Sequence, residues 1–339
     1  MREPPVNLPS TTLRACLRTT YELAVTDLTF LPLGHDSSAW VYRVRTADDT
    51  LYFLKVRKGL TNTASLLVPR YLHDHGVAQV IAPLPTIART LWAQADGYAL
   101  VLYPFVAGTA GKDQGMAPPQ WIAYGAILRQ IHATALAPEL AQLMQRETFV
   151  PAGAGMVREL EAHMAGRTFA DPAARALATF WRERRDAIHT LVARAEELGQ
   201  RLAQRAPPFV LCHADIHTAN VLLDGGGQVW IVDWDDTVLA PKERDLMFVV
   251  GGGISSQLVG PRDEELFLQG YGATTVDPLA LAYYRYAWAV SDIGAFGAQV
   301  FLRPDLGPVT RRAAVDAFMG LFLPGNIVAL AFASDDRVA

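Results

Sequence analysis

The stretch HADIHTAN at residues 213–220, followed by VDWDD at residues 232–236, decides how this sequence is interpreted. The first stretch has the spacing H-x-D-x-x-x-x-N, and the second places an aspartate directly after a short apolar run. Both stretches lie beside apolar runs of the length expected for buried strands. They therefore present three oxygen-bearing side chains at strand ends: Asp215, Asn220 and Asp233.

Phosphoryl transfer requires this set of side chains. It needs a carboxylate that accepts the proton of the attacking hydroxyl, oxygen ligands for magnesium, and a cation that positions the nucleotide. Asp215 suits the first role. Asn220 and Asp233 suit the second, because magnesium prefers a few hard oxygen ligands from the protein. Lys55, in the upstream strand-like run YFLKV, suits the third.

Composition narrows the class of protein further. The chain has 339 residues, of which 51% are apolar and 19% are charged, so it can bury large cores. A net charge of −4 argues against nucleic acid as the main partner. Two cysteines far apart, Cys16 and Cys212, form neither a disulfide framework nor a zinc site. Without an apolar signal segment at the N-terminus, we expect a cytoplasmic protein with no membrane partner.

Periodicity predicts an α+β fold of two lobes. Apolar runs over 28–56 alternate with turn residues and indicate three antiparallel strands. A helix is expected over 62–75, kinked or shortened by Pro69, and two more strands near 87–94 and 98–104.

Helical patterns dominate the rest of the chain. We therefore expect a nucleotide-binding lobe over 1–102, a hinge over 103–107, and a catalytic and acceptor-binding lobe over 108–339.

These motifs resemble those of the aminoglycoside phosphotransferase family. The segments YFLKV, VLCHADIHTANVLL, VDWDD and LAPKERDLMFVVGGG are most similar to those of its spectinomycin phosphotransferases. The last segment is the most specific, because it lies outside the general kinase signature. The resemblance extends over nearly the whole chain and implies a two-lobed, protein-kinase-like fold.

The resemblance also implies roles for single residues. Asp215 would be the catalytic base, and His217 would lie where protein kinases carry a lysine that faces the transferred phosphate. Asn220 and Asp233 would hold magnesium. The nucleotide would be bound by Lys55, by the turn at 34–38 and by the hinge, through the residues Lys55, Ser37, Ser38, Tyr103, Pro104, Phe105 and Val106.

Two features depart from the kinase pattern. No glycine-rich G-x-G-x-x-G loop precedes Lys55, and the turn at 34–38 stands in its place. No glutamate occurs between Lys55 and Gly76, where kinases place the helix carboxylate that pairs with the strand lysine. Asp74 is the only acid there. Either Asp74 pairs with Lys55, or Lys55 is positioned in another way.

Relatives that modify aminocyclitol antibiotics line the acceptor site with carboxylates, because their substrates carry ammonium groups. We expect Asp235 and Asp292 to serve here, with Tyr284 and Trp288 packing against the acceptor. Because Asp235 lies just beyond the metal ligand Asp233, either pocket or solvent is open to it. Asp236 and Glu243 are weaker candidates. The alternative for each acid is a solvated surface residue or a helix cap, and for the aromatic residues it is a place in the core.

The function expected from these observations is a kinase for a cationic aminocyclitol or aminoglycoside antibiotic, similar to spectinomycin. It would use magnesium and ATP, with GTP possible, act on a small molecule and not on nucleic acid, and work as a monomer. One alternative is a metabolic kinase for a sugar, choline-like or amino-alcohol substrate. Another is a pseudokinase that only binds ligands.

Overall fold

The first part of the chain forms a five-stranded antiparallel sheet with a helix on each face. The computed structural model describes residues 3–5, 7–34, 36, 38–59, 62–252 and 259–338. The elements of this lobe are helix α1 (Ser10–Tyr21), strands β1 (Val25–Leu31), β2 (Ala39–Thr46) and β3 (Leu51–Arg57), helix α2 (Ala64–Asp74), and strands β4 (Ala93–Ala95) and β5 (Tyr98–Pro104). The strand order is β1-β2-β3-β5-β4.

The two faces of this sheet bury different side chains. One face packs α1 through Leu13 and Leu17 against Leu54 and Leu100. On the other face, Leu66 of α2 packs against Val101. Lys55 pairs with Val101 across β3 and β5, and directly opposed residues point to the same face of an antiparallel pair. The strand lysine therefore lies on the α2 face.

The rest of the chain is mostly helical, with short strands around the site. Its elements are β6 (Gly108–Ala110), α3 (Gly111–Gln114), α4 (Pro118–Ala133), α5 (Pro138–Leu143), α6 (Gly153–Met164), α7 (Pro172–Glu183), α8 (Arg185–Arg205), β7 (Val210–Cys212), β8 (Val221–Asp224), β9 (Val229–Ile231), β10 (Val238–Ala240), α9 (Glu243–Leu246), α10 (Pro261–Tyr271), α11 (Pro278–Phe301), α12 (Pro308–Gly320), α13 (Ile327–Ala333) and a final 3₁₀ turn (Asp335–Arg337). The strands form two small sheets, β6-β8-β9 and β10-β7. Helix α11 is the centre of this lobe and packs against α6, α8, α12 and α13.

A close helix crossing supports the loop that carries HADIHTAN. A side chain at Gly125 of α4 would meet the carbonyl oxygen of Phe267, and one at Gly270 of α10 would meet that of Ile122, each at about 2 Å (2.0 and 1.9 Å). Glycine at both positions therefore lets the helices touch. The hydroxyl of Tyr124, on α4, donates to the carbonyl oxygen of Ile216 and holds the loop against this pair.

Backbone hydrogen bonds join the two lobes behind the site. The Ile231 N–H donates to the Gln79 carbonyl at 2.9 Å, and the Ile81 N–H donates to the Ile231 carbonyl at 3.0 Å. The segment after α2 thereby continues onto the edge of β9, beside the second motif of the sequence. This junction sets the position of the sheet lobe relative to the catalytic loop.

The structure differs from the sequence expectations at two places in the first lobe. The strand expected over 87–94 is reduced to β4, which begins at Ala93. Helix α2 continues through Pro69 without interruption. Pro69 lies inside the helix, where its missing N–H removes the hydrogen bond to the Ser65 carbonyl without ending the helix. None of the described helices is long and apolar enough to cross a membrane.

Candidate active site

The catalytic loop is held in place by a buried aspartate. Residues 213–220 connect β7 to β8, and both carboxylate oxygens of Asp245 face the start of the loop. Oδ2 accepts from the His213 N–H at 2.8 Å and Oδ1 from the Ala214 N–H at 2.6 Å. Nε2 of His132 lies 3.0 Å from Oδ2. Burial alone would raise the pKa of Asp245, but the hydrogen bond from His132 and those from the loop hold it below its usual range.

This anchor supports a strained backbone. Ala214 has φ of 68° and Asp233 has φ of 65°, both in the left-handed region that side chains other than glycine rarely adopt. Each such residue costs about 1–2 kcal/mol. Strain of this kind collects where the surrounding structure holds a functional geometry. Here Ala214 adjoins the predicted base Asp215, and Asp233 is itself a predicted metal ligand.

We expect Asp245→Asn to lower the free energy of unfolding by about 3–5 kcal/mol, because an N–H donor then faces a backbone N–H in a buried site. Urea unfolding followed by circular dichroism measures this change. Asp186→Asn, an exposed aspartate on α8, is the control and should leave stability unchanged. A loss below about 1 kcal/mol for Asp245→Asn would show that the anchor contributes little.

Asp215 has one oxygen held and one available. Its Oδ2 accepts from Nδ2 of Asn220 at 2.9 Å, and the same amide donates to the Asp215 carbonyl at 2.7 Å. Among the described residues, Oδ1 has no hydrogen bond of good geometry and contacts only the His217 side chain. Nε2 of His217 lies 3.2 Å from that oxygen. A hydroxyl group placed here could therefore donate its proton to Oδ1.

His213 links the two motifs in a neutral form. Its Nδ1 accepts from the Asp215 N–H at 3.2 Å, so the proton sits on Nε2, which donates to the Val232 carbonyl at 2.9 Å. Burial lowers its pKa, consistent with an uncharged ring. His213 is therefore a structural bridge between the loop and the segment that carries Asp233.

The oxygen set fits magnesium. Because Nδ2 of Asn220 is used twice within the loop, its Oδ1 is the atom left for a metal. The Val232 N–H donates to the Asn220 carbonyl at 3.1 Å, which places Asn220 and Asp233 on adjacent segments. The Asp233 side chain is 44% exposed, so its carboxylate opens into the cleft. Amide and carboxylate oxygens are the ligands that magnesium prefers.

Lys55 reaches the same segment from the sheet lobe. Its Nζ lies 2.7 Å from Asp233 Oδ1 and 2.6 Å from Asp235 Oδ2. Burial alone would lower the pKa of Lys55, but these two carboxylates raise it, so the lysine stays charged. Lys55 thus pairs with the VDWDD segment and not with helix α2.

The position of Asp235 corrects the expectation that it faces the acceptor. Both of its oxygens are taken on the nucleotide side, by Lys55 and by Nη1 of Arg57 at 2.7 Å. Asp233 and Asp235 both face the sheet lobe, because both carboxylates contact Lys55. The intervening Trp234 points away and packs against His213, with ring centres 4.5 Å apart.

The remaining nucleotide-side predictions fall at the front of the cleft. Tyr103 and Pro104 are the last residues of β5 that pair with β3. The backbone groups of Phe105 and Val106 lie beyond this pairing. Ser38 donates through both its N–H and its hydroxyl to Asp36 Oδ1, each at 2.7 Å. Ser37 lies outside the described residues.

The acceptor-side predictions meet at one wall of the cleft. Asp292 and Trp288 are half-buried and lie one turn apart on α11. Burial first, and the Asp215 carboxylate second, raise the pKa of Asp292 to about 7. Desolvation, reinforced by Asp215, also raises the pKa of Asp236 to about 6. Carboxylates crowded in this way favour a cationic ligand.

Tyr284 does not line this wall. It is 1% exposed, because α11 is covered by other helices where this residue lies, and its ring packs against Tyr283 with centres 5.0 Å apart. The prediction that Tyr284 packs against the acceptor is therefore wrong in this conformation. Trp288 is also partly covered, since the Arg244 guanidinium lies 5.1 Å from its ring centre.

Two cations of the site were missed from the sequence. Arg57 was detectable, because it lies two residues after Lys55 on one strand and so shares its face. Arg244 contacts Trp288 from α9, and only the tertiary packing of α9 against α11 shows this proximity.

Comparison with known proteins shows which protein family the chain belongs to. The family model of the APH phosphotransferase enzyme family matches residues 29–284. The chain belongs to this family. No curated protein sequence matches the chain.

The family also includes solved structures similar to this chain. The structure of spectinomycin phosphotransferase APH(9)-Ia with ADP and spectinomycin has 31% sequence identity and a TM-score of 0.86, covering 97% of this chain and 99% of that one. The AMP-bound complex of the same enzyme has 31% identity and a TM-score of 0.81, covering 95% and 98%. The predicted fold and family resemblance are confirmed, and this chain is a phosphotransferase.

More distant structures share only the fold. Choline kinase LicA from Streptococcus pneumoniae has 15% identity and a TM-score of 0.55, covering 92% of this chain and 99% of that chain. The fold is thus shared with a choline kinase as well as with an antibiotic phosphotransferase.

Proposed function

We propose that this chain transfers the γ-phosphate of ATP to a hydroxyl group of a cationic aminocyclitol, spectinomycin or a close analogue, with magnesium as cofactor. The observation that carries the proposal is the placement of the Asp215 carboxylate, whose Oδ2 is fixed by Asn220 and whose Oδ1 contacts only His217 among the described residues. The similarity to APH(9)-Ia over nearly the full length of both chains supports the substrate class. Phosphorylation of the antibiotic would give its host resistance.

The proton and the phosphoryl group move in opposite directions in this reaction. Asp215 Oδ1 accepts the proton of the acceptor hydroxyl, whose oxygen forms a bond to the γ-phosphorus. The bond from that phosphorus to the bridging oxygen breaks, and ADP leaves with the electron pair. His217, 3.2 Å from Oδ1, orients the carboxylate and faces the transferred group.

The nucleotide is held from both lobes. Asn220 and Asp233 would hold magnesium, which neutralises charge on the phosphates when bound. Lys55 contributes a fixed positive charge toward those phosphates. The backbone of residues 103–106 would lie along the adenine, and Ser38 would lie near the phosphates.

The acceptor is recognised through its positive charge. Asp292 and Asp236 provide carboxylates near the base, and Trp288 lies one turn before Asp292 on α11. The Asp215 charge raises the pKa of Asp292, so an ammonium group bound at Asp292 would also be attracted by the base. The distance between ammonium and hydroxyl on the acceptor then selects which hydroxyl reacts.

Binding of a cationic acceptor should strengthen as pH rises from 6 to 8. Asp292 is neutral below its pKa of about 7 and becomes a carboxylate above it, so the ammonium gains its partner only on the alkaline side. We expect the acceptor KM to fall by about tenfold over this range, the factor set by the ionised fraction. Steady-state kinetics at saturating ATP measure it.

Asp292→Asn supplies the control for this pH dependence. The acceptor KM of this variant should be high at every pH and should change little between pH 6 and 8. A variant whose KM follows the parent curve would remove Asp292 from acceptor binding.

A panel of acceptors tests the proposed substrate class. ADP formation would be followed by a coupled assay with magnesium ATP and spectinomycin, aminoglycosides, choline or ethanolamine. We expect spectinomycin to give the highest kcat/KM. If choline or ethanolamine is turned over and the antibiotics are not, the chain is a metabolic kinase on the same scaffold. Nucleotide binding without any turnover on the panel would favour a ligand-binding pseudokinase.

A further inference from the structure

Lys55 lacks the partner that strand lysines of kinases use. Such a lysine is normally positioned by a carboxylate on the helix that faces it. The only acid of α2, Asp74, lies at its last residue and is exposed, and it accepts from Nε of Arg70 at 2.9 Å. The α2 residue that packs beside the Lys55 face of the sheet is Leu66, which is apolar.

Asp235 has the geometry of the missing partner. Its Oδ2 lies 2.6 Å from Lys55 Nζ, and its Oδ1 lies 2.7 Å from Nη1 of Arg57. Both oxygens are therefore engaged by cations two residues apart on β3. The Asp235 side chain is 23% exposed and that of Lys55 is 11% exposed, so solvent screens this pair less than a surface pair.

Asp233 cannot fill this role during turnover. It also contacts Lys55, at 2.7 Å, but it is the residue proposed to bind magnesium. A metal that draws the Asp233 carboxylate away removes one of the two negative charges at Lys55. Asp235 then remains beside the lysine, because Arg57 holds its other oxygen.

Resting on the proposed function, we infer that Asp235 is the positioning residue for Lys55 in place of the helix carboxylate, with Arg57 fixing its orientation. The partner of Lys55 thus comes from the catalytic lobe and not from α2. The strand lysine is therefore aligned through contacts between the lobes. Movement of the sheet lobe away from residues 232–236 would separate Lys55 from its partner.

The test uses ³¹P NMR of bound magnesium ADP, which reports the lysine–phosphate contact without any acceptor. Lys55→Met defines the spectrum of ADP without this contact. Asp235→Asn should move the phosphate resonances toward the Lys55→Met positions, whereas Asp235→Glu should stay near the parent. Arg57→Met should move them part of the way, because Asp235 then loses its second cation.

Asp74→Asn is the matched control, since Asp74 is the other acid available near this face. Its spectrum should equal that of the parent. Parental resonances in Asp235→Asn, or a shift in Asp74→Asn instead, would overturn the inference while the proposed function stands. Calorimetry shows whether each protein binds magnesium ADP, and a parent that binds none would overturn the proposed function and this inference together.

Discussion

Replacement of Asp215 by alanine should lower kcat by a factor of about 10²–10⁴, while the affinity for magnesium ATP stays close to that of the parent. The reason is that the two oxygens of the Asp215 carboxylate have different roles. Oδ2 accepts from Asn220, and Oδ1, which lies beside His217, accepts the hydroxyl proton. Single-turnover kinetics measure the chemical step, and calorimetry measures nucleotide binding.

Asp186→Ala, far from the site on α8, controls for nonspecific effects and should match the parent in both measurements. An Asp215→Ala protein that retains turnover would remove Asp215 from the role of base. Equal losses of turnover and nucleotide affinity would place it in nucleotide binding instead.

The second large effect concerns Asp233. In Asp233→Ala, we expect magnesium-dependent nucleotide affinity to fall by at least about tenfold, and turnover to fall with it, because one of two metal ligands is missing. Calorimetric titration with ADP, in magnesium and in a chelator, separates the metal-dependent part of the affinity from the rest. The parent should bind more tightly in magnesium, and the variant should show little difference between the two conditions.

Removal of Asp233 also removes one negative charge that lies beside Lys55. This effect opposes the loss of nucleotide affinity. With less competition from carboxylates, Lys55 can bind nucleotide phosphates more strongly in the absence of metal. The affinity for ADP measured in the chelator should therefore be no lower in the variant than in the parent. A variant with the full magnesium dependence of the parent would show that the metal is held elsewhere.

The outline of the site could be predicted because its chemistry lies in local sequence. Asp215 and Asn220 share one loop, and their spacing sets which atoms can meet. The strands around Lys55 follow from alternation of apolar residues, and β2, β3 and β5 formed where this pattern was clearest. Short elements such as β6 and β10 have three residues each, too few for any period to show.

The contacts that could not be predicted join side chains that are far apart in the sequence. Asp235 was expected among the acceptor carboxylates, yet its partner Lys55 is 180 residues away in sequence. Tyr284 and Trp288 lie one turn apart on α11, and only the packing of neighbouring helices leaves one buried and the other at the cleft. The partner of Lys55 was left open for the same reason.

The most direct test of the central claim is a mass measurement of the acceptor. Spectinomycin would be incubated with magnesium ATP and the protein, with the Asp215→Ala protein in parallel. We predict that spectinomycin gains one phosphoryl group, that one ADP forms for each phosphorylated molecule, and that neither change occurs with the variant. Unmodified spectinomycin alongside ADP formation, or equal modification by the Asp215→Ala protein, would contradict the account.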